Sequence, residues 1–296
     1  TLEALVSRVP QDKLLIIDLA VDYNKNLWKI PFNWDKFQGF FGKPWVYSVI
    51  PNMGGRCGLS GMIDFYANGH LTALQSPHKG NLVAYGCAPE GIENNEVLFE
   101  LINDAGWSDK HLDLQAWLKT YSLNRYGKYT PELGAFRDHL QKSVYGSFTH
   151  RPLFNWQQTP SPFIEKFMNL NEDYFKAFEA YLKCAPELGK SKLYQTDLLE
   201  YMAMYLGGKA ELLTRMIENE YLQGTPEQAQ KYEADFETLL LGIDQLLSLH
   251  PNWRFEPWLE RAKNAASTPA QRDQYETNAR RILTIWGPPL PDYAAR

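Results

Sequence analysis

The stretch Asn81-Leu-Val-Ala-Tyr-Gly-Cys-Ala-Pro-Glu-Gly-Ile-Glu-Asn-Asn-Glu-Val-Leu-Phe-Glu-Leu-Ile-Asn-Asp-Ala-Gly-Trp107 holds a strand, a stiff turn and a helix in that order. Leu82-Val83-Ala84-Tyr85 is a short apolar run of the kind a buried parallel strand shows, and it stops at Gly86. A helical pattern begins near Asn94 and sets Val97, Leu98, Leu101 and Ile102 on one face. Between them lies Ala88-Pro89-Glu90-Gly91. Pro89 fixes its own φ and biases Ala88 towards an extended conformation, and Gly91 permits a sharp turn. The Glu90 carboxylate is therefore expected at the C-terminal end of a strand, which in an α/β barrel is the end that carries the chemistry. An acid near a helix start is also favoured by the macrodipole. The pattern alone leaves Glu90 open between a reacting group and a helix-end acid.

Working outward, two more apolar runs precede this unit. Leu14 to Leu19 reads as a buried strand with Asp18 near its C-terminal end, and Trp45 to Ile50 as a second. The second runs into Pro51-Asn52-Met53-Gly54-Gly55-Arg56, a glycine-bearing turn before a helix from about Leu59 to Asn68. Thr1 to Arg8 reads as the end of a helix that Pro10 terminates. Val21 to Phe41 is expected to be a long aromatic loop carrying Trp28, Phe32, Trp34, Phe37, Phe40 and Phe41. Such a loop either walls a sugar-sized site or packs the core. Three βα units in succession argue a parallel sheet with right-handed crossovers.

Beyond residue 110 the pattern is helical almost throughout. Helices are expected over 113–125, 131–145, 171–185, 193–223, 226–248, 256–265 and 269–284, with Tyr174, Phe178, Tyr181 and Leu182 forming one apolar stripe. The proline-rich run from Arg151 to Pro162 reads as a surface connection.

Composition narrows the classes of function. The 296 residues are 44% hydrophobic and 22% charged, enough for a normal core. A net charge of −5 gives no electrostatic footprint for nucleic acid. No apolar run approaches the roughly 20 residues of a membrane span, and the first residues do not read as a signal peptide. The 3 cysteines, Cys57, Cys87 and Cys184, are too far apart for a metal knuckle or a disulfide framework. The 6 histidines are scattered, and no zinc-hydrolase, phosphate-loop, dinucleotide or nucleophile-elbow motif occurs. No cofactor is expected.

The order and spacing of several short motifs together resemble glycoside hydrolase family 89, the α-N-acetylglucosaminidases. The residues that carry the resemblance are Ala88-Pro89-Glu90-Gly91-Ile92, Asn95-Glu96-Val97, Gly106-Trp107, Trp117, Arg125-Tyr126-Gly127 and Ser143-Val144-Tyr145. Further on they are Tyr275-Glu276, Asn278, Trp286-Gly287-Pro288 and Asp292-Tyr293-Ala294. The resemblance spans nearly the whole chain and implies an α/β then all-α fold. Residues 1–110 would be the C-terminal part of a TIM-like (β/α) barrel, and residues 111–296 an α-helical bundle domain.

The resemblance implies that Glu90 is the nucleophile of a retaining glycosidase acting on terminal α-linked N-acetylglucosamine. The acid/base glutamate and the N-terminal barrel half would lie upstream of Thr1, so the 296-residue chain is expected to be inactive alone. Asn52, Asp18, Trp45 and Tyr47 are the candidate sugar-binding residues. Asn52, Gly54 and Gly55 fit the family's Asn-Phe-Gly-Gly element, although Asn52 also suits an Asx turn. Pro51, Met53 and Cys57 stand where the family usually has His, Phe and His. These departures leave open a glycosidase for another α-linked sugar, or a carbohydrate-binding scaffold without hydrolysis. Asp18 alternatively caps the next helix. Glu96 is expected to be structural, and Arg125 to bond back to the barrel. Family members act in lysosomes, outside cells or in the bacterial periplasm. The absence of an Asn-x-Ser/Thr sequon leans towards a bacterial source.

Overall fold

The computed structural model of the chain describes residues 1–51, 59–89, 95–146, 154, 156 and 170–284. Three strands, β1 (Ile16–Asp18), β2 (Pro44–Val49) and β3 (Asn81–Cys87), form one parallel sheet in the order β1-β2-β3. Their register aligns Asp18 with Tyr47 and Tyr47 with Tyr85. Nine helices of ten residues or more accompany them among the described residues. They are α1 (Ile63–Leu74), α2 (Glu96–Gly106), α3 (Leu114–Tyr126), α4 (Pro131–Gln141), α5 (Glu172–Lys183), α6 (Lys192–Gln223), α7 (Pro226–Leu247), α8 (Phe255–Asn264) and α9 (Pro269–Thr284). Among the described residues no helix is long and apolar enough to cross a membrane.

The chain divides into two compact units: Thr1–Arg125 with Arg137–Arg151, and Tyr126–Phe136 with Pro152–Arg296. In the first, the sheet presents Trp45, Tyr47 and Val49 inward, each almost without exposed surface. Tyr47 stacks on Tyr85 at 5.6 Å between ring centroids, and Tyr85 meets His70 of α1 edge-on at 5.4 Å. Gly106 at the end of α2 lies so close to Tyr85 that a Cβ there would come within 2.8 Å of the ring. Helices α1 and α2 therefore cover this face. Strand alternation sends Leu15, Ile17 and Leu19 the other way, and they are exposed.

Val21 to Phe41 is not the open loop read from the sequence. It is a chain of helical turns: Val21–Tyr23, a π-turn over Asn24–Trp28, Asn33–Lys36 and Gln38–Phe41. The reason is burial. Val21, Asp22, Tyr23 and Asn24 have essentially no exposed surface, and a buried backbone must satisfy its own N–H and C=O groups, which local turns do. Three of its aromatic residues pack the core: Phe32 stacks on Trp34, and both Trp34 and Phe40 lie against Trp45, while Trp28 and Phe41 are exposed.

The second unit is organised by aromatic rings. Phe136, Phe178, Tyr181, Tyr194 and Tyr201 are buried, and their centroids lie between 4.7 and 6.4 Å apart where they meet. Their polar ends are satisfied inside: Tyr126 donates to Asp197 at 2.7 Å, and Tyr194 to the Tyr181 carbonyl at 2.8 Å. Paired glycines normally weaken a helix, yet α6 carries Gly207-Gly208 in mid-helix. A Cβ on Gly207 would come 2.5 Å from the Phe154 ring, and one on Gly208 2.6 Å from Tyr174. The pair is the notch that admits these rings. Of the proline-rich connection only Phe154 and Trp156 are described. They stack at 5.6 Å, and Trp156 donates its indole N–H to the Gly207 carbonyl.

Candidate active site

Parallel strands bring their C-terminal ends, Asp18, Val49 and Cys87, to one edge of the sheet. Two loops leave this edge after β2 and β3. Glu90, Gly91, Asn52, Met53, Gly54, Gly55 and Cys57 lie outside the described residues. The anchors of both loops are described, and they fix where each loop starts and finishes. Pro51, the remaining departure from the family pattern, is buried.

The loop that carries Glu90 is held at both ends. At its entry the Ala88 N–H donates to the Val49 carbonyl at 2.9 Å, which ties the end of β3 to β2. At its exit stands Asn95, buried, at the N-cap of α2. Its Nδ2 donates to the Ser60 carbonyl at 3.1 Å, and its Oδ1 accepts the Tyr145 hydroxyl at 2.8 Å. At the next residue, the Glu96 carboxylate faces the Arg125 guanidinium at 3.6 Å. Arg125 thus returns to the strand-bearing region, and Glu96 is engaged by it, as the sequence led one to expect.

The loop that carries Asn52 is gathered by one acid. Both carboxylate oxygens of Asp22 accept the Ile50 N–H at 3.1 Å, and Oδ2 also accepts the Tyr66 hydroxyl at 2.8 Å. Ile50 is the first residue after β2, and Tyr66 lies in α1 beyond the loop. Burial pushes the Asp22 carboxyl up to about 6, against the lowering effect of the Tyr66 and Ile50 hydrogen bonds. Sequence reasoning passed over Asp22. It also quoted Asn95 and Tyr145 without giving either a role.

Three of the candidates are described: Asp18 ends β1, Tyr47 lies in the middle of β2 and Trp45 near its start. Asp18 is buried and accepts from Asn33 Nδ2 at 3.1 Å and from the Trp34 N–H at 3.2 Å. The local cap weighed from sequence is not formed: the next helical turn, Val21–Tyr23, has no side-chain cap, and Asp18 instead reaches the turn Asn33–Lys36 from 15 and 16 residues away. Burial raises its carboxyl pKa, opposed by the Asn33 and Trp34 hydrogen bonds. Trp45 has no exposed surface, and its indole donates to the Lys79 carbonyl at 2.7 Å. Tyr47 is buried against Tyr85, and its hydroxyl has no hydrogen-bond partner among the described residues. Burial, then the Tyr85 hydroxyl and the Asp22 and Asp18 carboxylates, raise the Tyr47 pKa well above the usual phenol range. Asp18 and Tyr47 are neighbours across β1 and β2, whereas Trp45 lies two residues earlier in β2, against Trp34 and Phe40. Among the described residues no group of three His, Cys, Asp or Glu side chains could hold a metal ion.

Comparison with known proteins fits this arrangement. The α-N-acetylglucosaminidase (NAGLU) TIM-barrel domain family matches residues 1–109, and the α-N-acetylglucosaminidase (NAGLU) C-terminal domain family matches residues 117–296. The human α-N-acetylglucosaminidase is 30% identical over 308 aligned residues, covering 99% of this chain and 40% of the human protein. The chain therefore spans about two fifths of the length of that relative. A family 89 glycoside hydrolase from Clostridium perfringens, in complex with 2-acetamido-1,2-dideoxynojirmycin, superposes with a TM-score of 0.84. Identity there is 22%, over 99% of this chain and 34% of that one. A further Clostridium perfringens structure, with two glutamates changed to glutamine, is in complex with its substrate GlcNAc-alpha-1,4-galactose and gives the same TM-score of 0.84. By its matches to both domain families, the chain belongs to the α-N-acetylglucosaminidases of glycoside hydrolase family 89, and comprises a fragment of the TIM-barrel domain followed by the all-α C-terminal domain.

Proposed function

We propose that this chain supplies the nucleophile of a retaining glycosidase that removes terminal α-linked N-acetylglucosamine, and that the nucleophile is Glu90. The observation that carries the reading is positional. Glu90 follows the end of β3 by three residues, in a loop whose entry is tied to β2 and whose exit is tied by Asn95. Backbone held on both sides of a carboxylate is what a reacting group needs, because small misplacements cost rate heavily.

The chemistry follows from the bond to be broken. Retaining enzymes hold two carboxyl groups about 5–5.5 Å apart across the anomeric centre. A Glu90 oxygen attacks the anomeric carbon while the bond to the leaving oxygen breaks, and the second carboxyl group gives that oxygen its proton. In the next step the same group takes a proton from water. The water oxygen bonds to the anomeric carbon, and the Glu90 carboxylate leaves. The second carboxyl group belongs, on this reading, to a barrel segment of the parent enzyme that precedes Thr1. The Clostridium perfringens variant supports a two-carboxylate scheme, since its paired change of glutamate to glutamine accompanies a bound substrate. Asn52 is assigned a sugar hydroxyl, and Asp18 and Tyr47 the support of the strand ends, with Trp45 packed earlier along β2.

The test is turnover of an aryl α-N-acetylglucosaminide. In the full-length parent, Glu90→Ala should lose several orders of magnitude in rate, and a loss below about tenfold would remove Glu90 from the role. The 296-residue chain alone should show no turnover.

A further inference from the structure

We propose that Asn95 is a positioning residue for Glu90, acting through its paired hydrogen bonds to Tyr145 and Ser60. The inference rests on the nucleophile reading above. Asn95 occupies the N-cap position of α2, yet its side chain makes no capping bond to that helix. Asparagine at this position ordinarily accepts from the N–H two or three residues on. Here the acceptor oxygen takes the Tyr145 hydroxyl instead, and the amide nitrogen reaches the Ser60 carbonyl. All three residues are buried, so water does not substitute for these partners.

The placement of the partners gives the device its reach. Ser60 lies at the exit of the loop that carries Asn52, and Asn95 at the exit of the loop that carries Glu90. One amide therefore ties the two candidate loops to each other. Tyr145 comes from the turn Val144–Gly146, within the stretch matched by the C-terminal domain family, yet it belongs to the same compact unit as the strands. Part of the sequence assigned to the helical domain thus holds the exit of the nucleophile's loop. Only four residues separate Glu90 from Asn95 in the sequence.

The test uses the full-length parent with an activated aryl glycoside. Asn95→Ala and Tyr145→Phe are made both with Glu90 intact and in a Glu90→Ala background supplied with azide as external nucleophile. With Glu90 intact, kcat should fall by about 10- to 100-fold for Asn95→Ala and by about threefold to tenfold for Tyr145→Phe. KM should stay within about twofold in both. In the Glu90→Ala background neither change should alter the rate by more than about twofold, because no carboxylate remains to be placed. Equal losses in both backgrounds, or an unchanged kcat, would overturn the positioning role. So would a loss that vanishes on cooling to temperatures where the variant is fully folded. Tyr145→Phe removes one oxygen only, so it decides the matter if Asn95→Ala does not fold. A Glu90→Ala parent that keeps its rate would instead remove the nucleophile reading itself.

Discussion

The two compact units bury polar groups in different ways. In the strand-bearing unit the buried acids and amides each bond a side chain and also loop backbone: Asp22 the Ile50 N–H, Asp18 the Trp34 N–H and Asn95 the Ser60 carbonyl. In the helical unit Asp197 accepts from a tyrosine hydroxyl and Glu211 faces Arg215 one helical turn on. The difference follows from the backbone. A helix satisfies its own interior N–H and C=O groups, whereas a loop at a strand end leaves them to be satisfied from outside. A buried side chain spent on loop backbone fixes the course of that loop. Where such side chains gather is where the fold controls position most tightly, and here they gather around the loops that carry Glu90 and Asn52.

If the helical unit serves stability and the strand ends serve rate, substitutions should separate the two. The largest stability effect is expected in the aromatic cluster. Phe178 is buried among Phe136, Tyr174 and Tyr201. Phe178→Ala should cost about 3–5 kcal/mol in chemical denaturation of the parent, with kcat and KM unchanged wherever the variant remains folded. A lowered kcat in the folded variant would break the division.

Asp22 gives the next effect, and a pH signature. Its carboxyl is raised by burial from the ordinary 3.8 to about 6, so the folded chain keeps a proton that the unfolded chain releases between those values. Stability from this group is fully present below about pH 3.8 and is lost as pH rises through about 6. Asp22→Asn cannot ionise. Relative to the parent, the variant should therefore gain up to roughly 3 kcal/mol between pH 4 and pH 7, at about 1.4 kcal/mol per pKa unit. Denaturation curves measured at pH 4, 5, 6 and 7 check this, and a constant offset would show that Asp22 does not titrate in this window. The smallest effect is expected at Trp107, which is 94% exposed. Trp107→Ala should change stability by less than about 0.5 kcal/mol. A larger loss in the parent would mean that another segment covers this ring.

The fold was largely legible in the sequence because its signals are local. Apolar runs marked all three strands, and helical spacing marked Lys192–Gln223, Pro226–Leu247 and Pro269–Thr284 within a residue or two. The region from Val21 to Phe41 was misread as open because its turns are short and irregular. Phe40, for example, adopts φ +55°, and burial holds that conformation where no local pattern announces it. The supports of the candidate site were harder to see for a different reason. Asp22 meets partners 28 and 44 residues away, and Asn95 meets Tyr145 across 50. No periodicity encodes such pairings. Asp18 belongs with them, since its partners Asn33 and Trp34 lie 15 and 16 residues away and the local cap its position suggests is not formed.

The path of the chain has a consequence for how such proteins evolve. It passes from one compact unit to the other after Arg125, returns after Phe136 and leaves again after Arg151. Recombination at a single junction would strand either residues 126–136, with the first half of α4, or residues 137–151, with Tyr145, on the wrong side. The helical portion is thus a poor candidate for shuffling between enzymes as a cassette, and its ancestry should follow that of the barrel it accompanies.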